Sequence, residues 1–280
     1  MTAAPPTPAK TPPQNVIPRE HGATAMLLTP FFAAAILLRR PYWTEFVALA
    51  AIAGAFALKD PLVVLARQRF VWKQEHIETA QAGWKAAFLA VLLVCCGIVL
   101  FLARDWRPFL PFVIGGAAFT ALAVTVNVRN KQRSRLFQVA SALALSATCL
   151  LACISAIDRI PEWAWLLWIL CALQAAAGIF VVHARLEARI AARTEKAQGG
   201  SRQAAFLAQA ILAVAALFFL LTARLWLAAA LILTAACYLA ELRRQKDPAS
   251  LQVPLKRVGL QALAQSTVYT CIIIFGLWHY

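Results

Sequence analysis

The stretch AAFLAVLLVCCGIVLFLA, residues 86–103, decides the fold class of this chain. It contains no charged residue, and an α-helix needs roughly 20 mostly apolar residues to cross the hydrocarbon core of a bilayer. The whole chain agrees, because 62% of its 280 residues are hydrophobic and only 14% are charged, whereas soluble domains are about 25% charged. We therefore predict an all-α, polytopic integral membrane protein and exclude an ordinary soluble enzyme.

Similar charge-free runs recur on both sides of this stretch. Each is bounded by basic residues or proline and predicts a transmembrane helix. Nine spans are predicted, at residues 22–38, 43–58, 86–103, 109–126, 136–157, 163–182, 204–222, 225–240 and 260–278. They leave no room for a soluble catalytic domain, so we expect one transmembrane domain at residues 18–280, preceded by a flexible Pro/Ala-rich cytoplasmic tail at residues 1–17.

Basic residues are distributed unevenly between the connections. The N-terminal tail and the connections after spans 2, 4, 6 and 8 hold 21 Lys or Arg, whereas the connections after spans 1, 3, 5 and 7 hold 6. By the positive-inside rule the N-terminus is predicted in the cytoplasm and the C-terminus outside. This topology and attraction to anionic lipids account for the net charge of +15, so we expect the lipid bilayer as partner and no nucleic acid.

The basic connections also supply candidate binding residues. Arginine suits phosphate because its planar guanidinium donates two parallel hydrogen bonds. After span 6, Arg185, Arg189 and Arg193 recur every four residues, so a helical extension would align them in one stripe. The residues that we predict to bind an anionic small molecule, phosphate-bearing ligand or lipid headgroup are Arg19, Glu20, His21, Arg67, Arg129, Arg133, Arg185 and Arg189.

Each of these groups has a simpler interpretation. Residues 18–22, Pro-Arg-Glu-His-Gly, also suit an interfacial anchor, and the segment from Arg67 to Glu78 suits an amphipathic helix with a solvated polar face. The basic residues that follow span 4 also suit contacts with inner-leaflet phosphates. The sequence leaves these alternatives open, together with the question of whether the arginines converge on one site.

Metal binding has weak support in the sequence. His183 and Glu187 lie four residues apart and could share a helix face, and Glu78 is a further carboxylate in a basic connection. Two ligands at one spacing are weak evidence, since metal sites usually take three or four. We expect no metal or other cofactor. The seven cysteines all lie in apolar runs, which favours packing between helices over disulfides.

Several motifs give the chain a family likeness. The opening Pro18-Arg19-Glu20-His21-Gly22-Ala23, followed by Met26-Leu27-Leu28-Thr29-Pro30-Phe31, resembles the N-terminal signature of the YwiC-like family of bacterial integral membrane proteins. RNKQRS at residues 129–134 and VHARLE at residues 182–187 look like later segments of that family. The resemblance covers most of the chain from about residue 16. It implies a multi-pass protein of the bacterial cytoplasmic (inner) membrane, and it implies no particular reaction.

The predicted architecture is also similar to that of UbiA-type prenyltransferases, with nine helices and long cytoplasmic connections after spans 2 and 6. Those enzymes hold Mg²⁺ and a prenyl diphosphate on Asp-rich motifs in these connections, whereas this chain has few carboxylates there. We therefore predict an Arg-rich cavity, open to the cytoplasm, that binds an anion without known catalysis. A divergent prenyltransferase that uses Mg²⁺ and an anion transporter remain alternatives.

Overall fold

The computed structural model describes residues 21–73, 77–132, 134–194 and 200–278. The predicted tail, residues 1–17, lies outside this part, as do Arg19, Glu20 and Arg133 and the side chains of His21 and Glu78. All regular structure in the described ranges is helical. The helices are α1 (His21–Leu37), α2 (Trp43–Arg67), α3 (Ile77–Ala103), α4 (Leu110–Val128), α5 (Arg135–Ser146), α6 (Thr148–Ile157), α7 (Glu162–Thr194), α8 (Ser201–Leu221), α9 (Leu225–Arg244), α10 (Pro248–Leu251) and α11 (Leu255–Leu277).

The lengths of these helices confirm a multi-pass membrane protein. Eight helical segments in the described part of the chain are long and apolar enough to cross a bilayer, and α5 with α6 forms one of them, Arg135–Ile157. The predicted first span falls on a helix that is apolar but shorter, Gly22–Leu37. Length and composition therefore support eight spans and leave the predicted ninth unconfirmed.

Two helices continue through a proline. α1 continues through Pro30, from His21 to Leu37. α2 likewise continues through Pro61 and ends in a π-helical turn, Gln68–Trp72, before Lys73 adopts a left-handed backbone with φ of 55°. This left-handed residue interrupts the helical face that was predicted to join Arg67 to Glu78.

The span predicted at 136–157 is two helices with a break at Ala147. No glycine or proline marks this position. The Thr148 hydroxyl instead donates to the carbonyl oxygens of Leu145 (3.0 Å) and of Leu27 in α1 (2.7 Å). The break thus connects α6 to α1, and the two helices pack closely against each other.

The core lies around α6, α7 and α9. Side chains from all three helices are fully buried there, including Cys153, Leu167 and Leu231. Tyr269 of α11 is also buried, and its hydroxyl donates to the Leu170 carbonyl oxygen (2.9 Å). All seven cysteines are free, and four of them are buried, in agreement with the packing role expected from the sequence.

Two groups of contacts define the ends of the bundle. At the end that we call the basic end, Arg67 at the end of α2 contacts the end of α4, and Arg135 at the start of α5 pairs with Glu187 near the end of α7. At the opposite end, Arg104 after α3 pairs with Asp158 after α6 (3.1 Å). The Asp105 amide also donates to Asp158 (3.1 Å), so the α3–α4 connection is attached to α6.

Candidate functional site

A large cavity of about 2470 Å³ lies between helices α2, α3 and α4 on one side and the rest of the bundle on the other. Its wall is formed mainly by apolar side chains from α1, α2, α3, α4, α5, α6, α7, α9 and α11. Apolar cavities with a few convergent polar groups are the usual form of a small-molecule site. Its size and composition make it the main candidate site of the described residues.

The cavity extends along much of the length of the helices. On α4 its lining runs from Asn127 at the basic end to Pro111 near the opposite end, a distance of about 24 Å at 1.5 Å per residue. On α9 and α11 only the half nearest the basic end contributes, and on α7 only the central part, Gln174–Val182. More helices therefore line the cavity at the basic end, and α2, α3 and α4 line it farther toward the opposite end.

Three cationic side chains line the cavity near its basic end: Lys59 of α2, Arg244 at the end of α9 and Arg257 at the start of α11. Arg244 and Arg257 are exposed, and neither forms an ion pair with another described residue. Lys59 lies 3.7 Å from Asp60 and 5.3 Å from the centre of the Phe56 ring. An anion at this end of the cavity would meet two unpaired guanidinium groups.

The one carboxylate in the described cavity lining, Glu241, is already paired. It accepts a short hydrogen bond from Arg185, a side chain that is only 4% exposed. The amide Nε2 of Gln245 also lies 3.3 Å from the same carboxylate. Since Glu241 is neutralised in this way, the electrostatic character of the cavity mouth is set by its cations.

Arg185 and Arg189 hold the connection between α9 and α11. Arg185 Nη2 donates to the Ser250 carbonyl oxygen (2.6 Å), while Arg189 donates from Nε to Leu251 (2.5 Å) and from Nη2 to Val253 (2.7 Å). These carbonyls lie at the C-terminal end of α10, where a cation also interacts favourably with the helix dipole. The α9–α11 connection, residues 245–254, is thereby fixed between the two cavity cations, Arg244 and Arg257.

The predicted guanidinium stripe is helical, as expected, because α7 extends to Thr194 and includes Arg185, Arg189 and Arg193. None of these three side chains lines the cavity. Their spacing predicted one helix, but no pattern in the sequence indicated that the acceptors for two of them would be backbone carbonyls. Their predicted role in binding an anion stays a prediction.

Arg67 and Arg129 lie on the other side of the cavity. Arg67 Nη2 donates to the Asn127 carbonyl oxygen (2.9 Å) and to Asn130 Oδ1 (3.2 Å), so it caps the C-terminal end of α4. Arg129 is exposed beside it. The described arginines predicted as ligands thus form two groups at the basic end, one beside α4 and one beside α10.

The residues considered as metal ligands have other partners. Nε2 of His183 lies 2.9 Å from Gln138 Oε1, and Glu187 accepts hydrogen bonds from Arg135 (2.6 Å) and from the Ser201 amide (3.1 Å). Within the described ranges, no group of three or more His, Cys, Asp or Glu side chains is arranged to hold a metal ion. His183 and Glu187 join helices α5, α7 and α8 in this structure.

Lys59, Arg244 and Arg257 were absent from the predicted site. Lys59 marked the end of an apolar run, and Arg244 and Arg257 were counted only as topological charges. A signal was present, since Arg244 and Arg257 flank the basic connection between spans 8 and 9. Only the positions of α2, α9 and α11 around the cavity bring the three cations to one end.

Together, the helices and the cavity define a multi-pass, all-helical membrane protein with an apolar cavity and a cationic mouth. The family profile described as YwiC-like protein matches residues 17–153, which run from the start of α1 into α6. This part of the chain is thus that of a YwiC-like protein, and the family predicted from the opening motif is confirmed. Searches of curated proteins and of solved structures returned no match.

Proposed function

We propose that this protein binds an anionic amphiphile, with the headgroup at the basic end of the cavity and the apolar chain inside. The observation that carries the proposal is the cavity itself, which combines a mainly apolar wall with Lys59, Arg244 and Arg257 near one end. An ordinary anion would gain little from the apolar wall, and a neutral lipid would gain little from the cations. A ligand with both parts uses both.

The proposal includes an orientation and a membrane. The basic end faces the cytoplasm of a bacterium, in keeping with the positive-inside rule, and the ligand is drawn from the anionic inner leaflet. In this scheme Arg244 and Arg257 contact the headgroup. Arg185 and Arg189 act as positioning residues, because they fix the connection between α9 and α11, whose adjoining ends carry Arg244 and Arg257.

The test uses the full chain purified in a neutral detergent, with hexadecyl phosphate and hexadecanol as probes. A ligand that binds only the folded state raises the unfolding temperature by mass action. We expect hexadecyl phosphate to raise it and hexadecanol to have no comparable effect. Equal stabilisation by the alcohol, or stabilisation by neither, would refute an anionic amphiphile as the ligand.

A pair of variants assigns the headgroup site. Replacing Arg244 and Arg257 together with Gln should weaken binding of hexadecyl phosphate roughly tenfold, since each exposed charge contributes at most about 1 kcal/mol. The matched control is Arg243→Gln, which removes an exposed, adjacent charge outside the cavity lining. Equal weakening by the control would indicate a general charge effect and contradict the assignment.

The same assay addresses catalysis by a prenyltransferase. Farnesyl diphosphate is added with and without Mg²⁺, and the products are analysed. Mg²⁺-dependent stabilisation with turnover would replace a binding role by a transferase role, whereas stabilisation that ignores Mg²⁺ supports binding by the cations alone.

A further inference from the structure

We infer that the ligand is a long-chain amphiphile whose apolar part extends beyond the membrane midplane, and that Gly97 and Gly116 determine the chain length that the cavity accepts. This inference rests on the proposed function, because it takes the headgroup to lie at the basic end. It adds the length class of the ligand and two specificity-determining positions.

The first argument is the length of the cavity. Its lining on α2 runs from Leu62 to Ala48 and on α4 from Asn127 to Pro111, which correspond to about 21 Å and 24 Å along the helix axes. Half of a hydrocarbon core of about 30 Å is only about 15 Å. A ligand whose alkyl chain ended at the midplane would leave the far part of the cavity empty. The side chains that line this part would then lack the dispersion energy of contacts with the ligand.

The second argument is the open space beside two glycines. Gly97 of α3 and Gly116 of α4 both line the cavity, and a Cβ atom built on either one has no described atom within 4 Å. Gly116 lies 11 residues from Asn127, which is about 16 Å along the helix and thus near the midplane. A bulky side chain there would project into the cavity and shorten it.

The contrast with Gly178 shows that a glycine of the cavity lining need not lie beside open space. Gly178 of α7 also borders the cavity, but a Cβ atom there would lie 2.7 Å from the Tyr238 hydroxyl oxygen. That glycine permits a close contact between α7 and α9. Gly97 and Gly116 instead leave space that the protein does not fill.

The walls change along the same axis. Near the basic end, cations from three helices surround the opening, whereas near the opposite end α2, α3 and α4 contribute residues such as Ala51, Leu100 and Phe112. No Asp, Glu, Lys or Arg lies in that far part of the described lining. A single long apolar chain that follows a terminal anionic group matches this gradient.

The experiment measures competition between octyl, dodecyl, hexadecyl and eicosyl phosphate at equal mole fraction in detergent micelles, with the matching alcohols as blanks. For the wild-type chain we expect eicosyl phosphate to bind roughly threefold or more tightly than dodecyl phosphate, because only the longer chain fills the far part of the cavity. Comparison at equal mole fraction cancels the transfer of each chain out of water.

Two variants test the length determinant. Gly116→Leu and, separately, Gly97→Leu should abolish the preference for the longer chain and leave binding of dodecyl phosphate close to that of the wild type. The matched control is Gly83→Leu on α3, where a Cβ atom also has open space but the residue does not line the cavity. It should retain the full preference, and thermal unfolding checks that all three variants fold.

The outcomes separate the inference from the proposed function. If no alkyl phosphate binds better than its alcohol, the proposed function fails and the inference fails with it. If phosphates bind selectively but chain length has no effect, or if Gly116→Leu and Gly97→Leu keep the wild-type preference, the proposed function stands and the inference is overturned.

Discussion

The two sides of the cavity are built from similarly apolar helices but are packed very differently. In an 18-residue apolar stretch of Arg107–Val128, which contains α4, 6% of the residues are buried, whereas 56% are buried in such a stretch of Arg135–Ile157, which contains α5 and α6. The α2–α4 side divides its apolar surface between lipid and cavity. The side formed by α5–α9 buries its surface within the protein, so stability should reside mainly there and ligand binding should depend on the space between the sides.

The largest expected effect on stability comes from replacing Arg185 on the closely packed side. Arg185→Gln leaves Glu241 without its cation and removes the side-chain hydrogen bond to the Ser250 carbonyl oxygen, and losing one partner of a buried ion pair costs about 3 kcal/mol or more. The free energy of unfolding, measured by denaturant titration of the purified protein, should fall accordingly.

The matched change on the loosely packed side is Arg67→Gln. Arg67 is partly exposed, and among the described residues its side chain bonds Asn127 and Asn130, so we expect a loss of about 1 kcal/mol. Equal losses for Arg185→Gln and Arg67→Gln would contradict the difference in packing between the two sides.

A second prediction compares one glycine from each side. Gly178→Ala should destabilise the protein by about 1–3 kcal/mol, because overpacking forces the buried Tyr238 hydroxyl away from Gln174. Gly116→Ala should instead stabilise it by about 0.5–1 kcal/mol, since alanine has the higher helix propensity and meets no neighbour. Thermal unfolding would show shifts of opposite sign, and shifts of the same sign would refute the contrast.

The smallest predicted effect concerns the cavity between the sides. Cys237 of α9 is exposed and lines the cavity, whereas Cys271 of α11 is exposed outside its lining. Hexadecyl phosphate should slow alkylation of Cys237 by N-ethylmaleimide roughly twofold to fivefold by occupying the space beside it. Single-cysteine variants allow the two rates to be measured separately. If alkylation of Cys271 slowed equally, the effect would come from the micelle and not from occupation of the cavity.

Much of the fold was predictable from the sequence, because a membrane requires long apolar helices and charges mark their ends. Charge-based boundaries fail where a helix continues through charged residues. α7 runs 12 residues beyond its predicted end at 182, to Thr194. The charge of Arg185 is accommodated there because it forms an ion pair with Glu241 on α9. The break at Ala147 was also hidden, since it depends on a hydrogen bond from Thr148 to a carbonyl in α1.

The candidate site was harder to predict, because its residues come from helices that are distant in sequence. Arg185 and Arg189 have the regular spacing that suggests phosphate binding, but the acceptors near them are carbonyls of the α9–α11 connection. Arg257 has no such pattern, yet it lines the cavity. Spacing reports which side chains share a helix face, whereas the cavity depends on the order of helices in space.

The attachment of the α3–α4 connection to Asp158 has a consequence for the surrounding lipid. The cavity wall formed by α3 and α4 is attached to the bundle at one end by Arg104 and Asp105. At the other end Arg67 of α2 holds the end of α4. A helix anchored at both ends has little freedom to tilt in response to hydrophobic mismatch. In a bilayer of another thickness, the annular lipids would therefore have to stretch or compress around this wall.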